Sequence, residues 1–151
     1  NTEFTIIGSY ENNKINLIKN SHIKNWKKSK LFNFLDHKDN IINDIKKCNC
    51  VILPSYREGL PMFLLEAISI GRPVLASNVP GCRDIVTDGY NGYLFESKNT
   101  LDLIDKIIKF INLDQEKVIE MGIKGRKLAE KKFDKGIINS KFLKLIYKLI
   151  N

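Results

Sequence analysis

Long apolar runs are missing from this 151-residue chain. No stretch approaches the ~18 consecutive apolar residues of a membrane-spanning helix, so a transmembrane segment is not expected. Cysteine is scarce: Cys48, Cys50 and Cys82 form an odd set without metal-ligand spacing, and the only histidines are His22 and His37. That pattern argues against a disulfide framework and against a zinc cluster. It leaves reduced thiols in a cytoplasmic protein as the expectation. There is no low-complexity linker and no internal repeat, which excludes solenoids and flexible tethers. The opening Asn1-Thr2-Glu3-Phe4 has neither a start methionine nor a charged leader before an apolar stretch, so no signal peptide is read. The chain is expected to be a piece cut from something longer.

Acids are outnumbered, 17 against 25 Lys plus Arg, for a net charge of +8. Such a balance suits an anionic partner: nucleic acid, acidic lipid headgroups or a phosphorylated small molecule. Lysine scattered through an asparagine- and isoleucine-rich sequence is equally consistent with compositional drift. Nucleic acid ranks last, because no stacked-aromatic or Gly-rich RNA motif is present. Hydrophobic residues make up 43% of the chain, enough for the core of one soluble globular domain.

Five short apolar blocks read as strands: Phe4 to Ile7, Leu31 to Leu35, Cys50 to Leu53, Pro73 to Ala76 and Gly92 to Phe95. Helices are predicted over Ile15 to Lys30, Asp39 to Lys47, Pro61 to Ile70, Thr100 to Leu113, Glu116 to Lys132 and Lys135 to Leu149. Strands alternating with helices demand crossover connections, hence a doubly wound α/β fold with a parallel sheet covered on both faces. Asn99 is placed to cap the helix at Thr100, whose Leu101, Ile104, Ile107, Ile108 and Ile111 are expected to be core. Gly122, Gly125 and Gly136 are read as kinks or ends of the closing helices. The last helix carries Ile138, Phe142, Leu145 and Leu149 on one stripe.

The chemistry concentrates in "PSYREGLPMFLLEAISIGRPVLAS", residues 54 to 77. Ligands of open α/β sheets bind beyond the carboxyl ends of strands. Here a strand ends at Pro54, a loop follows, and Pro61 stands where a first helical residue is favoured. Gly59 permits close approach to a ligand, and the free amides of the helix start make an anion site suited to a diphosphate. Glu58 lies just before those amides, and Glu66 five residues into the helix, roughly 7.5 Å along its axis. Two carboxylates can each accept from paired hydroxyls while the amides hold phosphates between them. A nucleotide sugar has that layout. The bland alternative is a solvated loop acid and a helix acid facing water.

"PSYREGLPMFLLEA" followed by "GRPVLASNVPGCRDIVTDGYNGYLF" resembles the donor-binding half of retaining glycosyltransferases of GT-B architecture, in the large family 4 group, over Phe4 to Leu128. That family's signature is two glutamates separated by seven residues, as Glu58 and Glu66 are. The resemblance implies a Rossmann-like C-terminal GT-B domain whose first strand-helix unit is missing. It implies that Glu58 meets the donor sugar near the reacting centre, that Glu66 holds the ribose hydroxyls, and that Gly59, Leu60 and Pro61 line the sugar and phosphates. The loop Leu35 to His37 resembles the segment that holds the nucleobase, largely through backbone groups. His37 itself reads either as a base or as an ordinary loop residue. Arg57 reads as a contact to the acceptor or the diphosphate, or as a surface residue.

The motif wording looks most like bacterial enzymes that build capsule, lipopolysaccharide or undecaprenyl-linked glycans, within them those that transfer N-acetylgalactosamine or a related hexose. The expected donor is a UDP-sugar and the expected acceptor a glycan, lipid-linked, at the inner face of the cytoplasmic membrane. No metal is expected, because the helix end and basic groups replace one and no acidic metal cluster appears. The family's positive pair that stabilises the leaving diphosphate belongs to the missing first unit, and the acceptor-binding N-terminal domain is missing with it. This chain alone is therefore expected to be inactive, with its last helix left without the domain it would brace. The competing reading is a non-catalytic nucleotide-binding module that acts with a partner chain.

Overall fold

All strand pairings among the described residues are parallel, as short apolar blocks separated by helices require. The computed structural model describes residues 2–8, 20–29 and 31–150. The chain divides into two units, Asn1–Ile41 and Ile42–Asn151.

In the first unit β1 (Phe4–Ile7) pairs with β2 (Phe32–Leu35), and α1 (Asn20–Ser29) carries Trp26. Phe32 is the hub of this unit, with ring centroids 6.0 Å from Phe4, 6.0 Å from Trp26 and 6.2 Å from Phe34. β2 starts one residue later than the reading of Leu31, which is 68% exposed. The register explains this, since Phe32 is the partner of Phe4. Residues 15–19 and 30 of the predicted first helix lie outside the described residues.

The second unit runs α2 (Ile42–Lys47), β3 (Val51–Leu53), α3 (Met62–Ser69), β4 (Val74–Ser77), α4 (Pro80–Arg83), β5 (Gly92–Phe95), α5 (Thr100–Ile111), α6 (Gln115–Lys132) and α7 (Lys135–Ile150). Its sheet order is β3-β4-β5. The described residues form a two-stranded sheet in the first unit and a three-stranded sheet in the second. β4 is central and buried at all four positions, which is why its sequence shows no polar alternation. Leu75, Tyr93 and Phe95 share one face by register and cluster with Phe110 of α5 and Met121 of α6. Pro73 stays outside β4, and its carbonyl instead accepts from the Val51 amide at 3.1 Å. Gly92 opens β5 because a Cβ there would lie 1.8 Å from the Val74 carbonyl oxygen.

α5 starts where expected, with the Asn99 side chain accepting from the Asp102 amide at 3.1 Å. Its buried face, however, is Leu103, Ile107 and Phe110. Leu101, Ile104, Ile108 and Ile111, read as core, are 44–74% exposed. Two apolar stripes overlap on this helix, and helical spacing alone cannot choose between them. On α7, Ile138, Phe142, Leu145 and Leu149 are all exposed, Leu149 by 85%.

The closing glycines do not kink α6. Gly122 and Gly125 are interior to one 18-residue helix and both are buried. A Cβ on Gly122 would stand 2.1 Å from the Gly71 carbonyl oxygen, and one on Gly125 would stand 3.3 Å from Ile68 Cβ. Glycine is there so that α6 can lie directly on α3 and on the turn that follows it. Gly71 in turn takes a positive φ of 78° to leave α3. Gly136 does sit at a helix end, where its amide donates to Asp134 at 2.8 Å. Because the Gly122 neighbour is backbone, which cannot rotate away, Gly122→Ala should destabilise the domain by about 1–3 kcal/mol through overpacking. Urea denaturation of the two forms checks this; coincident midpoints would contradict the close approach.

Candidate functional site: the loop between the third strand and its helix

β3 delivers the chain to a loop, Pro54 to Leu60, at the carboxyl end of the sheet. Pro61 then stands just before α3, with φ −70° and ψ 110°. It was read as the first helical residue; its extended ψ makes it the N-cap, and its carbonyl opens the ladder by accepting from Leu64 and Leu65 at 3.1 and 3.2 Å. No side chain caps this end, so the first-turn amides of Met62 and Phe63 have no intrahelical acceptor. α3 is anchored from behind by Leu64, Ala67 and Ile68, each 0% exposed.

That anchoring decides how the motif is presented. Glu66 is half-buried rather than enclosed by its apolar neighbours, since Leu64, Ala67 and Ile68 occupy the inner face. Glu58 is half-buried as well, while Arg57, Gly59 and Leu60 are exposed and Pro61 is buried. Among the described residues neither glutamate side chain is engaged in a hydrogen bond or an ion pair. Both carboxylates remain available, one before and one after the uncapped helix start. A Cβ on Gly59 would meet nothing within 4 Å, so the space over this residue is open.

The close approach that requires glycine is on the next loop. A Cβ on Gly81, in α4, would fall 1.8 Å from the Gly59 carbonyl oxygen and 2.8 Å from that of Glu58. The Glu58–Gly59 backbone therefore rests on the start of α4. Cys82, adjoining, is fully buried; burial, and after it the Glu58 charge, push its thiol up to about 11. Both effects disfavour the thiolate, the reactive form of a cysteine. Burial likewise pushes Cys50 far up, with Cys48 adding to the shift.

The loops after β4 and β5 are tied to each other. The Asn78 amide donates to the Phe95 carbonyl at 2.7 Å, and its side-chain nitrogen donates to Glu96 at 2.8 Å. Arg83 donates to the Asn78 carbonyl at 3.1 Å and to its side-chain oxygen at 3.2 Å. Tyr56, 71% exposed, carries the Lys98 ammonium 5.6 Å over its ring. Gly81, Asn78, Arg83 and Glu96 were not singled out from sequence. Pro80-Gly81 directly after a buried strand was the available signal for a short helix start.

His37 belongs to the other unit, in the segment after β2. It is exposed, with Nε2 3.8 Å from the exposed carboxylate of Asp39. Arg57, Glu58, Gly59, Leu60, Pro61 and Glu66 are brought together on one loop-helix junction. No group of three or more His, Cys, Asp or Glu among the described residues could hold a metal ion.

The family description "Glycosyl transferases group 1" matches residues 1–128. The chain belongs to that family. An N,N'-diacetylbacillosaminyl-diphospho-undecaprenol alpha-1,3-N-acetylgalactosaminyltransferase of Campylobacter jejuni is 31% identical over 117 residues, which cover 78% of this chain and 31% of that protein. A capsular polysaccharide biosynthesis glycosyltransferase of Staphylococcus aureus is 33% identical over 104 residues, covering 69% and 27%. HepE of Anabaena, solved in complex with UDP, matches with a TM-score of 0.86 over 97% of this chain and 41% of its own, at 22% identity. That likeness establishes the shared Rossmann-like α/β fold. This group 1 chain spans about a third or less of the two sequence relatives.

Within the group 1 domain, the contact of Gly81 with the glutamate loop makes a separable prediction. Gly81→Ala should displace Glu58 and lower the unfolding midpoint, by about 1–3 kcal/mol of overpacking. Gly59→Ala, with open space at its Cβ, should change stability by less than about 0.5 kcal/mol. Thermal melts of both variants provide the comparison.

Proposed function

We propose that this chain is the nucleotide-sugar donor domain of a retaining glycosyltransferase, which moves a hexose or N-acetylhexosamine from a UDP-sugar to a lipid-linked glycan acceptor. The observation that carries this reading is the junction itself: two unengaged carboxylates flank an uncapped helix start at the carboxyl end of a parallel sheet. The names of the Campylobacter relative and of the UDP-bound Anabaena structure support the donor and acceptor classes.

In this reading the first-turn amides of α3 take the diphosphate, aided by the helix dipole. Glu66 accepts from the two ribose hydroxyls. Glu58 accepts from hydroxyls of the donor sugar near the reacting carbon. Gly59 and Leu60 line the sugar from the exposed side, and buried Pro61 holds the helix start in place. Arg57 reaches the diphosphate or the acceptor. The helix end and basic groups do the work for which other transferases use a metal.

Departure of the nucleoside diphosphate needs positive charge where negative charge develops. We assign that charge, and the acceptor site, to an N-terminal portion of the protein, and we assign the exposed stripe of α7 to contact with the same portion. No described helix is long and apolar enough to cross a membrane. A net charge of +8 suits work at the anionic inner face of the cytoplasmic membrane.

Titration with uridine, guanosine and adenosine diphosphates, followed by NMR, tests the donor site. UDP should perturb the amides around Pro61. Each hydrogen bond to a charged group contributes about 1.5–3 kcal/mol, so Glu66→Ala should weaken UDP binding roughly ten- to a hundredfold. If no diphosphate moves these amides, or if Glu66→Ala binds unchanged, the assignment fails. The chain alone should show no sugar transfer; turnover at the rate of an intact enzyme would contradict the need for an N-terminal portion.

A further inference from the structure

A second concave site lies at the other end of α3, roughly 12 Å along the helix from the glutamate loop at 1.5 Å per residue. It is a cavity of about 460 Å³ between the Ile70–Pro73 turn and the outer face of α6, a volume in the range of small-molecule sites. Its wall is apolar: Ile119 and Ile123 line it and remain 52% and 51% exposed. Its rim carries three cations, Arg72, Arg126 and Lys127, against one acid, Glu130.

Two of these cations are immobilised by structural bonds that leave donors over. Arg72 Nη2 donates to the Lys46 carbonyl at 2.5 Å, at the end of α2. Its Nε is buried without an acceptor among the described residues, so it is through the rest of the guanidinium that Arg72 lines the cavity. Arg126 donates to the Ser69 carbonyl at the end of α3, and through Nε to Glu130 at 2.7 Å. Glu130 thus neutralises Arg126 and leaves Arg72 and Lys127 as the groups to be matched. Among the described residues Lys127 forms no ion pair.

We propose that this cavity binds a phosphate monoester that carries an aliphatic group. The phosphate accepts from the Arg72 guanidinium and from Lys127, and the aliphatic part rests on Ile119 and Ile123. A phosphate suits two donors approaching from different directions, because it offers three acceptor oxygens. The site is independent of the glutamate junction and does not rest on the transferase reading.

The experiment is a calorimetric and NMR titration with three probes: butyl phosphate, inorganic phosphate and butanol. Butyl phosphate should perturb Gly71 and Ile123 while the amides at Gly59 to Met62 stay in place. It should bind about tenfold more tightly than inorganic phosphate, from partial burial of its methylenes, and butanol should not bind. Lys127→Ala and Ile123→Ser, both at exposed positions and verified as folded by their melts, should each weaken butyl phosphate by about tenfold. Absence of any shift with butyl phosphate overturns the proposal. Inorganic phosphate binding equally well, or both variants binding like the parent chain, overturns it too.

Discussion

The direct contact of α6 with α3 is the constraint on which this domain rests. Gly122 and Gly125 remove the side chains that would hold the two helices apart, and Gly71 turns the chain away with a positive φ. Leu64, Ala67 and Ile68 are fully buried and Ile68 is met by α6 at Gly125, so the inner face of α3 is committed to the core. That Glu66 is half-buried rather than enclosed follows from the packing of its neighbours.

A second layer of constraint acts on the loop before the helix. Glu58 and Gly59 are seated on Gly81, whose own position depends on β4 and on the hydrogen bonds from Asn78 to Phe95 and Glu96. Short polar contacts between the ends of β4 and β5 thus help to set the backbone on which Glu58 is carried, while apolar burial of its neighbours sets the helix that carries Glu66. Preorganisation of this kind matters for a group that must accept hydrogen bonds from a ligand, because the ordering cost is met in folding.

Much of this was legible in the residues. The five strands and the helices other than the short α4 came through because β-branched blocks and helical spacing reflect local sterics. The Asn99 cap was legible for the same reason, as a side chain three residues from the amide it meets. Legibility failed where two local solutions are equal: α5 has two apolar stripes, and only the position of Tyr93, Phe95 and Met121 selects Leu103, Ile107 and Phe110. It failed again at Gly122 and Gly125, where a low helix propensity reads as a break although the contact it serves lies some fifty residues away in sequence.

Glu58 and Glu66, their spacing, and Pro61 between them are properties of the sequence by itself, since a strand, a loop and a helix of those lengths place two acids around a helix start in any setting. Whether those acids would be buried, paired or open was decided by tertiary structure. The outcome depends on which face of α3 the close approach of α6 seals and on the Gly81 contact beneath the loop. Both are contacts between segments distant in the chain, and no local pattern encodes them.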